Sequence, residues 1–218
     1  MIFRNREHAA VLLAEKLGKY KGKNPLVLGI PRGAVPMAKV IAIALKGEVD
    51  VVLVHKLGAP SQPELAMGAV DEKGRVYLTE VVREWRISPE CIAREKDEQK
   101  AALRRRRAQY TPFRSPIDPS GRIVIVVDDG TATGATMIAA LRSVRGQNPE
   151  KLIGAVGVAP FSTLERIRRH ADEVVCLDVP SEFCAVGEFF EDFSQVTDED
   201  VIAILGELGG KSSEKNVA

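Results

Sequence analysis

The chain has 218 residues, 45% of them hydrophobic and 28% charged, which suits one globular α/β domain with decorations and a core of ordinary size. Its 31 basic and 30 acidic residues leave a formal charge of +1, so there is no global electrostatic reason to expect nucleic acid or an anionic membrane as partner. Three cysteines, Cys91, Cys176 and Cys184, include no Cys-x-x-Cys pair, which argues against a disulfide framework or a zinc knuckle and fits a reducing compartment.

The N-terminal stretch MIFRNREH carries charge in its first turns and shows no h-region, so no secretory leader is expected. Asn5 can cap a helix through about Lys16, because Ala9, Leu12, Leu13 and Leu17 share one helical face and Gly18 follows. Residues 26–30 read as a strand. It ends in Gly29-Ile30-Pro31-Arg32-Gly33-Ala34, a glycine-flanked arginine leading into an apolar helix over residues 35–46 with Pro36 in its first turn. A second apolar strand over residues 51–55 finishes on His55-Lys56, and residues 66–70 and 75–79 flank Asp71-Glu72-Lys73-Gly74 as a hairpin. Residues 88–110 form a charged helix with Ser88 as N-cap; its arginine block at residues 104–107 reads as a solvated face balanced by Glu95, Asp97 and Glu98.

Residues 123–127 are five branched apolar residues in a row, the pattern of a central parallel strand buried on both faces. The run ends on Asp128-Asp129 and turns into Gly130, Thr131, Ala132, Thr133, Gly134, Ala135 and Thr136. Beyond it, Met137, Ala140, Leu141 and Val144 recur at helical spacing, which puts Gly134, Ala135 and Thr136 at a helix start, where free N–H groups and the helix dipole favour an anion. Strands over residues 151–159 and 173–179 enclose a helix capped by Ser162, and Thr197-Asp198-Glu199-Asp200 opens a last helix in the manner of a capping box. From Gly209 the stretch GGKSSEKNVA reads as a disordered tail. The longest apolar runs, residues 40–45 and 123–127, are too short to span a bilayer, and a soluble cytoplasmic protein is expected.

The alternation predicts an α/β fold with a doubly wound, mostly parallel sheet and an inserted hairpin plus helix. Arg32-Gly33, His55-Lys56 and Asp128-Asp129 with its loop would then all lie at carboxyl ends of strands, so cations, carboxylates and a phosphate loop would share one crevice. That combination suits a sugar with phosphates at both ends. A Walker A loop, a G-x-G-x-x-G fingerprint, a G-x-S-x-G elbow and an H-E-x-x-H pair are all missing.

The stretch from Val126 to Thr136, VVDDGTATGAT, resembles the phosphoribosyl-pyrophosphate signature of type I phosphoribosyltransferases. The resemblance implies that Asp128 and Asp129 hold the ribose 2′ and 3′ hydroxyls and that the loop from Gly130 to Thr136 holds the 5′-phosphate. It also implies that Arg32 and Gly33 grip pyrophosphate in a loop where a cis peptide often occurs, and that Lys56 is the basic residue ending the second strand. In the family's terms the catalytic set is Asp128, Asp129, Arg32 and Lys56, with Mg²⁺ touching Asp128 or Asp129 directly or through water. Two residues depart from the pattern: Ala132 stands where the first loop threonine is usual, and Gly130 replaces a branched residue, which is expected to loosen the strand exit.

The resemblance covers roughly residues 26–160. It implies one domain over residues 1–208, with a core of about 24–180 and a hood made by the N-terminal helix and residues 180–208, followed by the tail at 209–218. The implied activity is Mg²⁺-dependent transfer of phosphoribose from phosphoribosyl pyrophosphate to a nitrogenous base or related acceptor, in a homodimer. The alternative is a non-catalytic regulatory protein of the same fold that binds phosphoribosyl pyrophosphate or a nucleotide. Phe183, Phe189, Phe190 and Phe193 in the hood are expected mainly to pack, although a base could stack there.

Overall fold

A computed structural model describes residues 1–209. Helix α1 (Arg6–Lys16) starts where its sequence requires, with the Asn5 side chain accepting a hydrogen bond from the His8 amide at 2.9 Å. Strand β1 (Leu26–Gly29) and helix α2 (Val35–Leu45) follow, and α2 is closed by Lys46 in the left-handed region. The chain continues through β2 (Glu48–Val51), β3 (Val54–Ala59), β4 (Gln62–Asp71), β5 (Val76–Leu78), a short α3 (Val81–Glu84) and α4 (Pro89–Tyr110). Then come β6 (Ile123–Gly130), α5 (Ala135–Arg145), β7 (Lys151–Val158), α6 (Phe161–Arg168), β8 (Glu173–Asp178) and α7 (Asp198–Gly209).

Among the described residues, five strands pair in parallel in the order β2-β1-β6-β7-β8, which puts the apolar run of β6 at the centre. Its side chains alternate between two cores. Ile125 and Val127 pack with α1 and α2 on one face, while Val124 and Val126 pack with α5 and α6 on the other. Full burial of each such side chain is worth about 1.5–3 kcal/mol, so β6 is held from both sides. Helices on both faces make the doubly wound architecture read from the sequence. The chain steps outward from β1 to β2 and returns past β1 to β6, so the order reverses between β1 and β6, and the ends of these two strands frame a crevice.

One expected strand divides in two. Parallel pairing with β1 stops at Val51, opposite Gly29, and from Val54 the chain pairs antiparallel with β4. Strands β3, β4 and β5 form a separate antiparallel sheet. The reason is burial: Val51, Leu53 and Leu57 enter a third core with Leu103, Tyr110, Val201 and Leu205, which draws the chain off the main sheet toward α4 and α7. The expected hairpin is present as β4 and β5, with the Gly74 amide donating to the Asp71 carbonyl at 2.9 Å.

Helix α4 is capped by Ser88, as read from the sequence. Its arginine block is not uniformly solvated. Leu103, Arg107 and Tyr110 share one stripe, and the burial of Leu103 and Tyr110 turns Arg107 inward, where Nε donates to Glu72 at 2.7 Å and Nη1 lies 3.5 Å from the buried Asp50. Arg104 and Arg105 are exposed. Helix α6 follows Pro160, so Ser162 lies inside its first turn instead of capping it. At α7, Thr197 Oγ1 accepts from the Asp200 amide at 3.1 Å and the Asp200 carboxylate accepts from the Thr197 amide at 2.9 Å, a reciprocal capping box. The tail lies outside the described residues except for Gly209, which ends α7. Among the described residues no helix is long and apolar enough to cross a membrane.

Candidate functional site

Beyond the paired ends of β1 and β6 the two segments stay together for one more bond, from the Ile30 amide to the Val127 carbonyl at 3.1 Å. The peptide between Pro31 and Arg32 is cis. The loop then passes so close to Asp129 that a Cβ on Gly33 would lie 2.4 Å from Asp129 Oδ2; only glycine allows this approach. The structure therefore brings Gly33 and Asp129 together, as expected from the sequence.

Asp129 is buried, and its Oδ2 accepts a hydrogen bond from Arg6 Nε at 2.8 Å; each side chain is only 12% exposed. Burial pushes the Asp129 carboxyl above the usual carboxylate range, while the hydrogen bond and charge of Arg6 pull it back. Asp128 beside it accepts from the Asp129 amide at 3.1 Å. It keeps some solvent contact at the crevice floor, yet protein surrounds it closely enough that desolvation, followed by the charge of Asp129, raises it well above the usual range.

The loop is built by local hydrogen bonds. The Thr131 amide donates to the Val158 carbonyl at 3.0 Å, and Thr131 Oγ1 accepts from the Gly134 amide at 2.9 Å. Thr133 Oγ1 accepts from the Ala135 amide at 3.4 Å, and the Ala132 carbonyl accepts from Thr163 Oγ1 at 2.6 Å. Gly134 takes φ +73°, a conformation that favours glycine, and α5 starts at the next residue. Among the described residues the amides of Ala132, Thr133, Thr136 and Met137 donate no hydrogen bond, which leaves a cluster of N–H groups at a helix start able to take an anion. Gly130 does not loosen the strand exit. It stays paired with Val158, and the room left by its missing side chain is filled by Val186, whose Cγ1 would lie 2.6 Å from an added Cβ.

Arg32 points at the start of α7, with Nη1 3.4 Å from Asp198 Oδ2. Asp198 also accepts from the Tyr110 hydroxyl at 2.5 Å and lies 3.5 Å from Arg106 Nε. Burial and this carboxylate raise the Tyr110 phenol. Lys56 is not at the end of a parallel strand: it sits within β3, opposite Ala69 in the antiparallel sheet, because the strand divides before it. His55 Nδ1 lies 2.8 Å from the Lys56 carbonyl, a local contact that agrees with a structural part.

Arg6, Asp198 and Tyr110 were not singled out from the sequence. Asp198 and Tyr110 carried no signal there, since an acid opening a helix and a tyrosine ending one are both ordinary. Arg6 left one: a cation in the first turn of a helix opposes the macrodipole by about 0.3–1 kcal/mol, so it needs a partner elsewhere. Within residues 180–208, Phe190 packs on Phe193 at 4.9 Å and reaches Phe3 at 5.2 Å, and Phe183 stacks on Phe189 at 5.5 Å, so these rings mostly pack on one another. Among the described residues no group of three or more His, Cys, Asp or Glu forms a metal cage. Two adjacent carboxylates, one of them engaged by Arg6, fit a hydrated Mg²⁺ arriving with a phosphate ligand.

Residues 1–191 match the family model described as phosphoribosyl transferase domain. Two sequences from Mycobacterium tuberculosis, MT0597 of strain CDC 1551 and Rv0571c of strain H37Rv, are each 41% identical to it over 205 residues, and their names assign phosphoribosyl transferase provisionally. These alignments cover 94% of this chain and 46% of theirs, so the chain spans about half the length of the curated relatives it matches. The crystal structure of TT1426 from Thermus thermophilus is similar to it with a TM-score of 0.85 and 46% identity, covering 95% of this chain and 99% of that one.

Proposed function

Because the chain belongs to the phosphoribosyl transferase domain family, we propose that it binds phosphoribosyl pyrophosphate with Mg²⁺ in the crevice between β1 and β6 and transfers phosphoribose to a nitrogenous acceptor. The observation that carries this reading is the juxtaposition at one switch point of two adjacent acids, an anion-binding loop and the close-packed Arg32-Gly33 turn. Asp128 and Asp129 accept hydrogen bonds from the ribose hydroxyls, and the free amides of Ala132, Thr133, Thr136 and Met137, with the Thr131, Thr133 and Thr136 hydroxyls nearby, cradle the 5′-phosphate. Ala132 costs the loop one hydroxyl but none of its backbone donors.

The reaction needs no protein nucleophile. A ring nitrogen of the acceptor forms a bond to C1′, the C1′–O bond to pyrophosphate breaks with its electron pair leaving on pyrophosphate, and an acceptor whose nitrogen carries a proton releases it to water, whereas a pyridine nitrogen keeps the positive charge. The centre is cationic and oxocarbenium-like on the way, so orienting the sugar and steadying the departing anion are the tasks left to the protein. Arg32 exchanges Asp198 for the pyrophosphate, and Lys56 in β3 is the second candidate cation. A Mg²⁺ ion held by Asp128 or Asp129, directly or through water, would supply further neutralisation of the leaving group. The same reading takes residues 1–208 as one domain of a cytoplasmic homodimer.

The test is pyrophosphate release from phosphoribosyl pyrophosphate and Mg²⁺ with a panel of purine, pyrimidine and pyridine bases. Saturable release with one base, abolished by Asp128→Asn together with Asp129→Asn, is expected. Release that is the same with and without every base would overturn transfer.

A further inference from the structure

Resting on that reading of the crevice, we propose that Arg6 is a positioning residue for the acidic pair: it claims one oxygen of Asp129, sets which oxygen faces the ribose, and ties that carboxylate to the hood. Three contacts converge on its guanidinium. Nε donates to Asp129 Oδ2 at 2.8 Å, Nη1 donates to the Ser194 carbonyl at 2.7 Å, and the group lies 3.8 Å over the Phe193 ring. Its Nη2 and Nε also lie 3.3 and 3.4 Å from where a Cβ on Gly33 would stand, so the same cation packs against the pyrophosphate turn.

Helix α1 does not need this arginine. Asn5 already caps it, and a cation in the first turn opposes the dipole. The benefit lies across the chain, at the two carboxylates. Asp129 is buried against the Gly33 turn. Arg6 reaches it there and engages Oδ2, leaving Oδ1 of Asp129 and the carboxylate of Asp128 for the sugar diol. The planar fork is essential to the role: it addresses a carboxylate and a carbonyl in fixed directions while stacking on a ring, which a lysine ammonium does not reproduce. Because Ser194 and Phe193 hold the other side of the fork, the hood segment and the diol-binding acid are placed by one group.

The test is calorimetry with two probes, phosphoribosyl pyrophosphate with Mg²⁺ and inorganic pyrophosphate with Mg²⁺, on wild type, Arg6→Gln, Arg6→Lys and Phe193→Leu. Only the first probe carries a ribose. The proposal expects Arg6→Gln and Arg6→Lys to weaken phosphoribosyl pyrophosphate about tenfold or more and Phe193→Leu to weaken it less, with pyrophosphate, which meets Arg6 only through the Gly33 turn and the metal-holding acids, weakened by a factor at least about threefold smaller in the Arg6 variants. A role in folding alone would lower both affinities together, and that result overturns the proposal, as does unchanged phosphoribosyl pyrophosphate affinity in the Arg6 variants. Thermal melts identify any variant that fails to fold; if both Arg6 variants do, Phe193→Leu decides by the same two-probe criterion. Wild type that binds no phosphoribosyl pyrophosphate removes the proposed function and this proposal together, whereas binding by wild type with equal binding by the Arg6 variants removes this proposal alone.

Discussion

Asp128 and Asp129 are neighbours in sequence and share a crevice floor, yet their surroundings differ: Arg6 holds Asp129 directly, and among the described residues Asp128 forms no ion pair and accepts from the Asp129 amide. Burial raises the Asp128 carboxyl above its unfolded value, so the stability linked to it is fully present below the ordinary carboxylate range and is lost as pH rises through the folded value. Asp128→Asn should therefore be more stable than wild type near about pH 7, and urea unfolding should show that advantage shrinking toward about pH 3. An advantage that grows in acid would contradict the assignment. Gly130 is read by packing instead of charge. Gly130→Val would drive a Cβ to 2.6 Å from Val186 and 2.8 Å from Val158, and a loss of about 1–3 kcal/mol in denaturant unfolding is expected. At this scale the acids and the loop were legible because strand, turn and helix start are contiguous in the chain. Arg6 was not, since 123 positions separate it from Asp129 and only folding joins them.

Capped helices were legible at the scale of elements, because Asn5, Ser88 and Thr197 act on amides within three residues. The break between β2 and β3 was not. The apolar run around Val51 to Val54 carries no glycine, proline or turn residue to mark it, and what ends the parallel pairing is a third core drawn from distant segments. Arg107 belongs to that junction: it reaches Glu72 and Asp50 and donates from Nη2 to the Val51 carbonyl at 3.3 Å, across the point where the strand divides. Removing it leaves the buried Asp50 without its cation. Arg107→Ala should cost about 3–5 kcal/mol in urea unfolding, and a change below about 0.5 kcal/mol, the level of an ordinary surface substitution, would show the block to be the solvated face it resembles in sequence.

For the whole molecule, alternating apolar strands and helices foretold the parallel sheet, and the position of the acids after the most apolar strand foretold the centre. Strand order could not be read in detail, because pairing partners such as Leu26 and Val124 are far apart in the chain. What the topology adds is the reversal between β1 and β6, which sets Gly33 against Asp129 and so brings the Arg32-Gly33 turn and the acids before the amide loop to one crevice, the arrangement from which the proposed function starts. Calorimetry with phosphoribosyl pyrophosphate and Mg²⁺ on wild type and on the double variant Asp128→Asn, Asp129→Asn tests this most directly. Saturable binding by wild type and a loss of about a hundredfold in the double variant are predicted; equal binding by both proteins, or no binding by wild type, would contradict it.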